Sequence, residues 1–273
     1  MPFLSKSPAH EVRETRSRYL WTPTRGVRAT LDERAWLDEV KALALVIPTR
    51  TVFSHTTAAV LADLPLPNED PRPFHFTSDS NVHRGRRKGV KWHLRHVQGQ
   101  VITWHGFPIT HPLRTWRDLG DLLQVPDLVA VADVLLRRGW CSQADLLALT
   151  GVRHKVKLRK AAERADGGSW SPRESLLRVA MLDEGVPEPE LNGEIVEGGT
   201  VIGTGDFVWR EYRTVADYDG GHHNQPGQRH QDAQTRDDYA AEGWRHVPIT
   251  SKMSQSEGVD RVTRALRQRG WEG

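Results

Sequence analysis

Residues 205–223, GDFVWREYRTVADYDGGHH, decide how this chain reads. Two short strands are expected, 206–210 and 214–219, joined by a tight polar turn. Strand side chains alternate with a period of two, so Thr214, Ala216 and Tyr218 face one way and Val215, Asp217 and Asp219 the other. Asp217 and Asp219 therefore share a face, and antiparallel pairing across the turn carries Asp206, at the opening of the first strand, towards it. Three carboxylates gathered at the ends of two strands repel one another unless protons or a hard cation with oxygen ligands stand between them, and Mg2+ is the usual choice. Gly220 and Gly221 then release the backbone into His222 and His223, whose imidazoles can take or give a proton near neutral pH. Neighbours in an extended backbone project to opposite sides, so one imidazole is expected to face the carboxylates. His223, an even number of residues from Asp217 and Asp219, is the better placed, although two glycines can break that alternation.

The chain has 273 residues, enough for one large or two ordinary domains, and its 37% hydrophobic and 27% charged residues are those of a globular protein with a sizeable core. A single cysteine, Cys141, excludes a disulfide framework or a cysteine zinc cluster within the chain. The first twenty residues lack the apolar centre of a signal peptide, and no stretch approaches the roughly 20 apolar residues of a membrane span. A cytoplasmic protein is expected. The net charge of +3 is unevenly spread: residues 1–165 hold 26 Lys and Arg against 16 Asp and Glu, and residues 166–273 hold 12 against 19. A basic half suited to a polyanion and an acidic half suited to a cation fit that asymmetry, as does uneven charge on two solvated surfaces.

Along the first half, residues 31–45 place Trp36, Val40, Leu43 and Ala44 at helical spacing behind the capping residue Asp32. Ser54-His55-Thr56-Thr57 leads into a helix of small residues that Pro65 and Pro67 stop. Residues 71–77 and 90–96 alternate as strands, and Arg84, Arg86, Arg87, Lys88 and Lys91 lie on the glycine-flanked hairpin loop between them. Such a loop can clamp phosphates, which need charge and reach, or be a solvated turn. One strand is expected over 101–109, then helices over 113–123, 127–138 and 143–149, the last capped by Ser142. A second basic run carries Lys155, Lys157, Arg159 and Lys160, and 166–169 (DGGS) has a linker's composition.

Beyond it, Ser171-Pro172-Arg173-Glu174 is a capping box with proline at the first helical position. Gly185 and Pro187 end that helix. Strands follow over 190–196, 200–210 (the strand of Asp206 extended backwards) and 214–219. A helix over about 229–242, a strand over 244–249 and a last helix capped by Ser254 and Glu257 complete the chain. The order is helix, three strands, helix, strand, helix, that of the restriction-endonuclease-like core. A two-domain α/β (α+β) protein is expected, with a basic N-terminal domain over 1–165 that binds or targets DNA and the endonuclease-like core over 166–273.

The segments SPRESLLRVAMLDEGVPEPELN, GDFVW, YRTVADYDGGHH and RDDYAAEGWRHVPIT between residues 171 and 250 resemble the Vsr-like endonucleases and their bacterial relatives in the PD-(D/E)xK superfamily. About 80 residues are covered, and the ordered set carries the resemblance. It implies that Glu174, Asp206, Asp217 and Asp219 surround Mg2+ or Mn2+, that His222 or His223 is the acid or base, and that the partner is DNA. Asp217 stands where most relatives have Glu, and Asp219 stands where the superfamily has lysine; Vsr-type enzymes use histidine in that lysine's stead. The first half, with SHTTAAVLADLPLP and GFPITHPLRTWRDL, is similar to the AbiEi-type antitoxin family, with only 19–27 in place of its winged helix-turn-helix. The implied activity is Mg2+-dependent DNA endonuclease, in defence against foreign DNA or in repair. The rival is a non-catalytic DNA-binding regulator of antitoxin type, and RNA stays open as a substrate. No membrane partner is expected, and a homodimer is among the states left open. Each residue also has a plainer reading: Glu174 as the cap's carboxylate, Asp206 and Asp219 as turn residues, Asp232 and Arg236 as an exposed ion pair with Arg236 otherwise on phosphate, and Trp209 and Trp244 as core.

Overall fold

The computed structural model describes residues 3–4, 20–30, 36–68, 70–79, 87–149, 152–219 and 226–273. It is mixed α+β and divides into two compact units, Met1–Leu119 and Gly120–Gly273.

In the first unit, β1 (Phe3–Leu4), β2 (Leu20–Trp21) and β3 (Val27–Thr30) form a small antiparallel sheet in the order β1-β3-β2. There follow α1 (Trp36–Ala44), β4 (Thr51–Phe53), α2 (His55–Leu61), β5 (Phe74–Ser78), β6 (Val90–Leu94), β7 (Val101–Trp104), β8 (Phe107–Thr110) and α3 (Pro112–Leu119). The five-stranded sheet runs β6-β5-β4-β8-β7. Two sequence expectations are corrected in it. The strand over 101–109 is a hairpin, because His105 and Gly106 both take positive φ (47° and 83°), the conformation a two-residue turn between right-twisting strands requires. The basic segment between β5 and β6 is no hairpin loop either, because these strands pair in parallel, Phe74 beside Val90 and Thr77 beside His93. Parallel neighbours need a crossover instead of a tight turn.

The second unit begins with α4 (Val125–Arg137), α5 (Gln143–Leu147) and α6 (Lys155–Arg164). Then come α7 (Pro172–Asp183), β9 (Glu190–Glu197), β10 (Thr200–Trp209), β11 (Thr214–Asp219), α8 (Pro226–Ala241), β12 (Arg245–Thr250) and α9 (Gln255–Arg267), in the expected order. Strands β9, β10 and β11 form an antiparallel meander and β12 pairs with β11 in parallel, giving the sheet β12-β11-β10-β9. Alternation sends Phe207, Ala216, Val247 and Ile249 to one face, under Leu177 and Met181 of α7 and Val262 and Leu266 of α9. Val208 and Val215 go to the other, with Tyr239 of α8 and Trp244. Both expected core tryptophans are buried, and their indoles donate to Pro187 O (2.7 Å) and Glu197 Oε1 (2.7 Å). Caps at Ser142 and Ser254 form as the sequence suggests.

The expected boundary at 165/166 is displaced to 119/120, since α4, α5 and α6 belong with the sheet that follows them. Arg178 of α7 and Asp133 of α4 make a buried ion pair (3.2 Å, both side chains 1% exposed), and the same guanidinium donates to Arg164 O at the end of α6. The presumed linker is part of this packing: Asp166 N donates to Asp133 Oδ1, Arg137 to Ser169 O and Asn192 to Gly168 O. With this boundary the first unit holds 18 Lys and Arg against 11 Asp and Glu, and the second 20 against 24, so the charge contrast softens.

Candidate functional site on the face of the second sheet

The register of β10 and β11 puts Phe207 opposite Ala216 and so sets Asp206 and Asp217 side by side at the next position. Asp206 lies well inside β10 instead of opening it. Here the carboxylates stand in for the ladder: Asp206 N donates to Asp217 Oδ1 (3.1 Å), and Tyr218 N donates to Asp206 Oδ2 (2.6 Å). Two side chains thus take up main-chain donors of the facing strands.

The second oxygen of Asp217 meets a residue the sequence reading passed over. His246 of β12 donates from Nε2 to Asp217 Oδ2 at 2.8 Å, the imidazole being largely buried. Its face was legible, since Val247 and Ile249 mark the core face of β12 and His246 alternates to the other; the parallel pairing with β11 that carries it to Val215 and hence towards Asp217 was not. Behind these groups lies Tyr239 of α8, 1% exposed, whose hydroxyl finds no hydrogen-bond partner among the described residues. Burial, and then the carboxylates of Asp217 and Asp206, push its pKa well above the ordinary phenol value. Two glycines make room for this cluster. A Cβ at Gly203 would stand 2.7 Å from Tyr239 Cζ, and one at Gly205 would run into Val215 Cγ2.

The other expected site residues divide. Asp219 is exposed at the end of β11, two residues or about 6.6 Å along the strand from Asp217. The expected meeting of Asp206, Asp217 and Asp219 about one point is not made. Among the described residues, the only trio of histidine, cysteine or carboxylate side chains with all ligand atoms within 4.8 Å of one another is His55, His75 and His93, in the first unit. Glu174 fastens the local backbone, since its Oε2 accepts from Trp170 N (2.8 Å) and Asn192 Nδ2 (3.4 Å), while Ser171 Oγ accepts from Glu174 N. His222, His223, Arg84 and Arg86 lie outside the described residues, as does the Asp232 side chain of the expected ion pair. Arg87 is occupied, donating to Thr24 Oγ1 (3.0 Å) and Arg25 O (2.7 Å), and Lys157 donates to Leu123 O (2.8 Å). Lys88, Lys91, Lys155, Arg159, Lys160 and Arg236 are exposed.

A carboxylate that orients an imidazole, with a second carboxylate on the neighbouring strand, holds a proton donor or acceptor in place beside hard oxygen atoms. The chain is similar to two proteins described as uncharacterized, from Mycobacterium tuberculosis strains CDC 1551 and H37Rv. Each is 30% identical over 176 residues, which span 63% of this chain and 65% of the relative, just under two thirds of its length. No protein-family model matches, and no solved structure does. No described helix is long and apolar enough to cross a membrane.

Proposed function

We propose that this chain is a Mg2+- or Mn2+-dependent DNA endonuclease of the cytoplasm, hydrolysing phosphodiester bonds in defence against foreign DNA or in repair. The observation that carries this reading is the row Asp206, Asp217, His246 across three adjacent strands of a sheet with the helix, three strands, helix, strand, helix order. The donor set fits a hard cation. Carboxylate oxygens such as those of Asp206 and Asp217 are the donors that Mg2+ and Mn2+ prefer. A bound Mg2+ would supply charge to polarise the scissile phosphate. Asp217 holds His246 in place, and that imidazole takes up or delivers the proton at the attacking or leaving oxygen. Lys155, Arg159 and Lys160, exposed on α6, and Lys88, Lys91 and Arg236 give sequence-independent affinity for the backbone.

The rival, a DNA-binding regulator without catalysis, draws on the same bonds, since two aspartates clasping backbone amides have a sufficient structural reason to be there. Supercoiled plasmid incubated with the purified chain, with and without Mg2+ or Mn2+, separates the two. Metal-dependent nicking that Asp217→Asn abolishes while DNA affinity and the unfolding midpoint stay within error supports the nuclease. Tight DNA binding with no nicking under either metal leaves the regulator.

A further inference from the structure

We propose that His55, His75 and His93 form a binding site for a transition-metal dication of the Zn2+ class, held by α2, β5 and β6 of the first unit. The site is separate in kind from the carboxylates of the second unit, because its donors are nitrogens.

The three residues are far apart in sequence and brought together by the parallel pairing of β5 and β6 beside the start of α2. His75 is the second residue of β5, His93 lies near the end of β6, and His55 opens α2 directly after β4. Their ligand nitrogens all lie within 4.8 Å of one another. His55 and His75 are 0% and 2% exposed, and His93 is half-buried. His75 Nδ1 and His93 Nε2 are 2.9 Å apart, and the rings of His55 and His93 stack with centroids 3.8 Å apart.

His55 Nε2 is the decisive atom. It is buried and has no hydrogen-bond partner among the described residues, an unfavourable state if nothing fills it. The other ring nitrogen, Nδ1, is 2.9 Å from Ser54 Oγ, which also accepts from Thr77 Oγ1 at 2.8 Å. A ligand taken at Nε2 places the proton on Nδ1, where Ser54 Oγ accepts it. That outer hydrogen bond is the one that orients metal-binding histidines. The backbone of His55 is held at φ 50°, in the left-handed region that non-glycine residues rarely occupy and that functional sites stabilise.

The imidazoles are also electrically prepared. Burial, then the neighbouring His93 and His75, then Arg95 and Lys91 hold His55 far below its usual range; burial, His93 and Lys91 push His75 down to about 4. A metal takes an imidazole by the ring-nitrogen lone pair of its neutral form. Three imidazoles select borderline ions such as Zn2+ or Co2+ over Mg2+ or Ca2+, which prefer oxygen. Zn–N bonds of about 2.0–2.1 Å set ligand nitrogens about 3.3 Å apart in a tetrahedron, a spacing inside the 4.8 Å within which the three nitrogens already lie. Three protein ligands leave a fourth tetrahedral position for water or another ligand.

The test uses the full chain without an affinity tag, stripped of metal by a chelator and titrated with Co2+ near neutral pH. One equivalent should bind with the visible absorption of low-coordinate cobalt, Zn2+ should displace it, and Zn2+ alone should raise the unfolding midpoint. His93→Gln, at the half-buried position, should weaken Co2+ binding at least tenfold while keeping the wild-type circular dichroism, with His75→Gln as the second variant. Asp217→Asn should bind as the wild type does. Absence of stoichiometric binding, equal affinity in folded His93→Gln, or loss of binding in Asp217→Asn would each overturn the proposal, the first two leaving a hydrogen-bonded histidine stack and the last placing the ion at the carboxylates.

Discussion

Tyr239 and the two glycines around it show how tightly single residues are specified at the sheet face. The folded chain keeps the Tyr239 phenol protonated beyond the ordinary value of about 10, whereas the unfolded chain releases the proton there. Between those two values the unfolded state binds fewer protons, so stability falls as pH rises past about 10, and below that the residue contributes no pH dependence. Tyr239→Phe should flatten this alkaline loss; denaturant midpoints of both proteins from pH 8 to 11 provide the check, and parallel curves would refute it. Gly205 obeys a harder constraint, because the atom in the way belongs to Val215 on the paired strand. Gly205→Ala should destabilise by about 1–3 kcal/mol, the usual cost of overpacking. Adding Val215→Ala should recover part of that in a urea melt, whereas no recovery would point to backbone strain.

Between elements, the buried Arg178–Asp133 pair ties α7 to α4 and so decides to which unit α4 belongs. Burial raises the Asp133 pKa against the pull of Arg178, so the pair is held by geometry and by the further bonds from Asp166 N and to Arg164 O rather than by Coulomb attraction alone. Asp133→Ala strands a guanidinium in the interior and should cost about 3–5 kcal/mol, while the double change Asp133→Leu/Arg178→Met should recover most of it. Denaturant unfolding of the three proteins decides this; equal losses in the single and double variants would show that the pair is dispensable to the packing. The same junction explains the misplaced boundary. Asp166-Gly167-Gly168-Ser169 has a linker's composition, but its backbone groups are taken by Asp133, Arg137 and Asn192, partners that no local pattern reveals.

For the molecule as a whole, the cations divide into those that hold the fold and those that face solvent. If the exposed set grips DNA, replacing Lys155, Arg159 and Lys160 by alanine should flatten the log–log salt dependence of duplex binding by about 0.9 for each phosphate that is no longer neutralised. Arg87→Ala and Lys157→Ala should instead lower stability and leave that slope alone. A fluorescence titration at several salt concentrations distinguishes them, and an unchanged slope in the triple variant would remove α6 from the DNA surface. The sequence by itself determined the element order from Ser171 onwards, the caps at Ser142, Ser171 and Ser254, and the pairing that sets Asp206 beside Asp217. Those features follow from period, turn chemistry and neighbours a few residues apart. Only the tertiary structure decided that β5 and β6 run parallel, that Asn192 donates to Glu174, that His246 completes Asp217, and that His55, His75 and His93 meet. Each of these rests on strands or helices distant in sequence coming into register, and the direction in which two distant strands pair is set by how the whole core is buried, which no local stretch encodes.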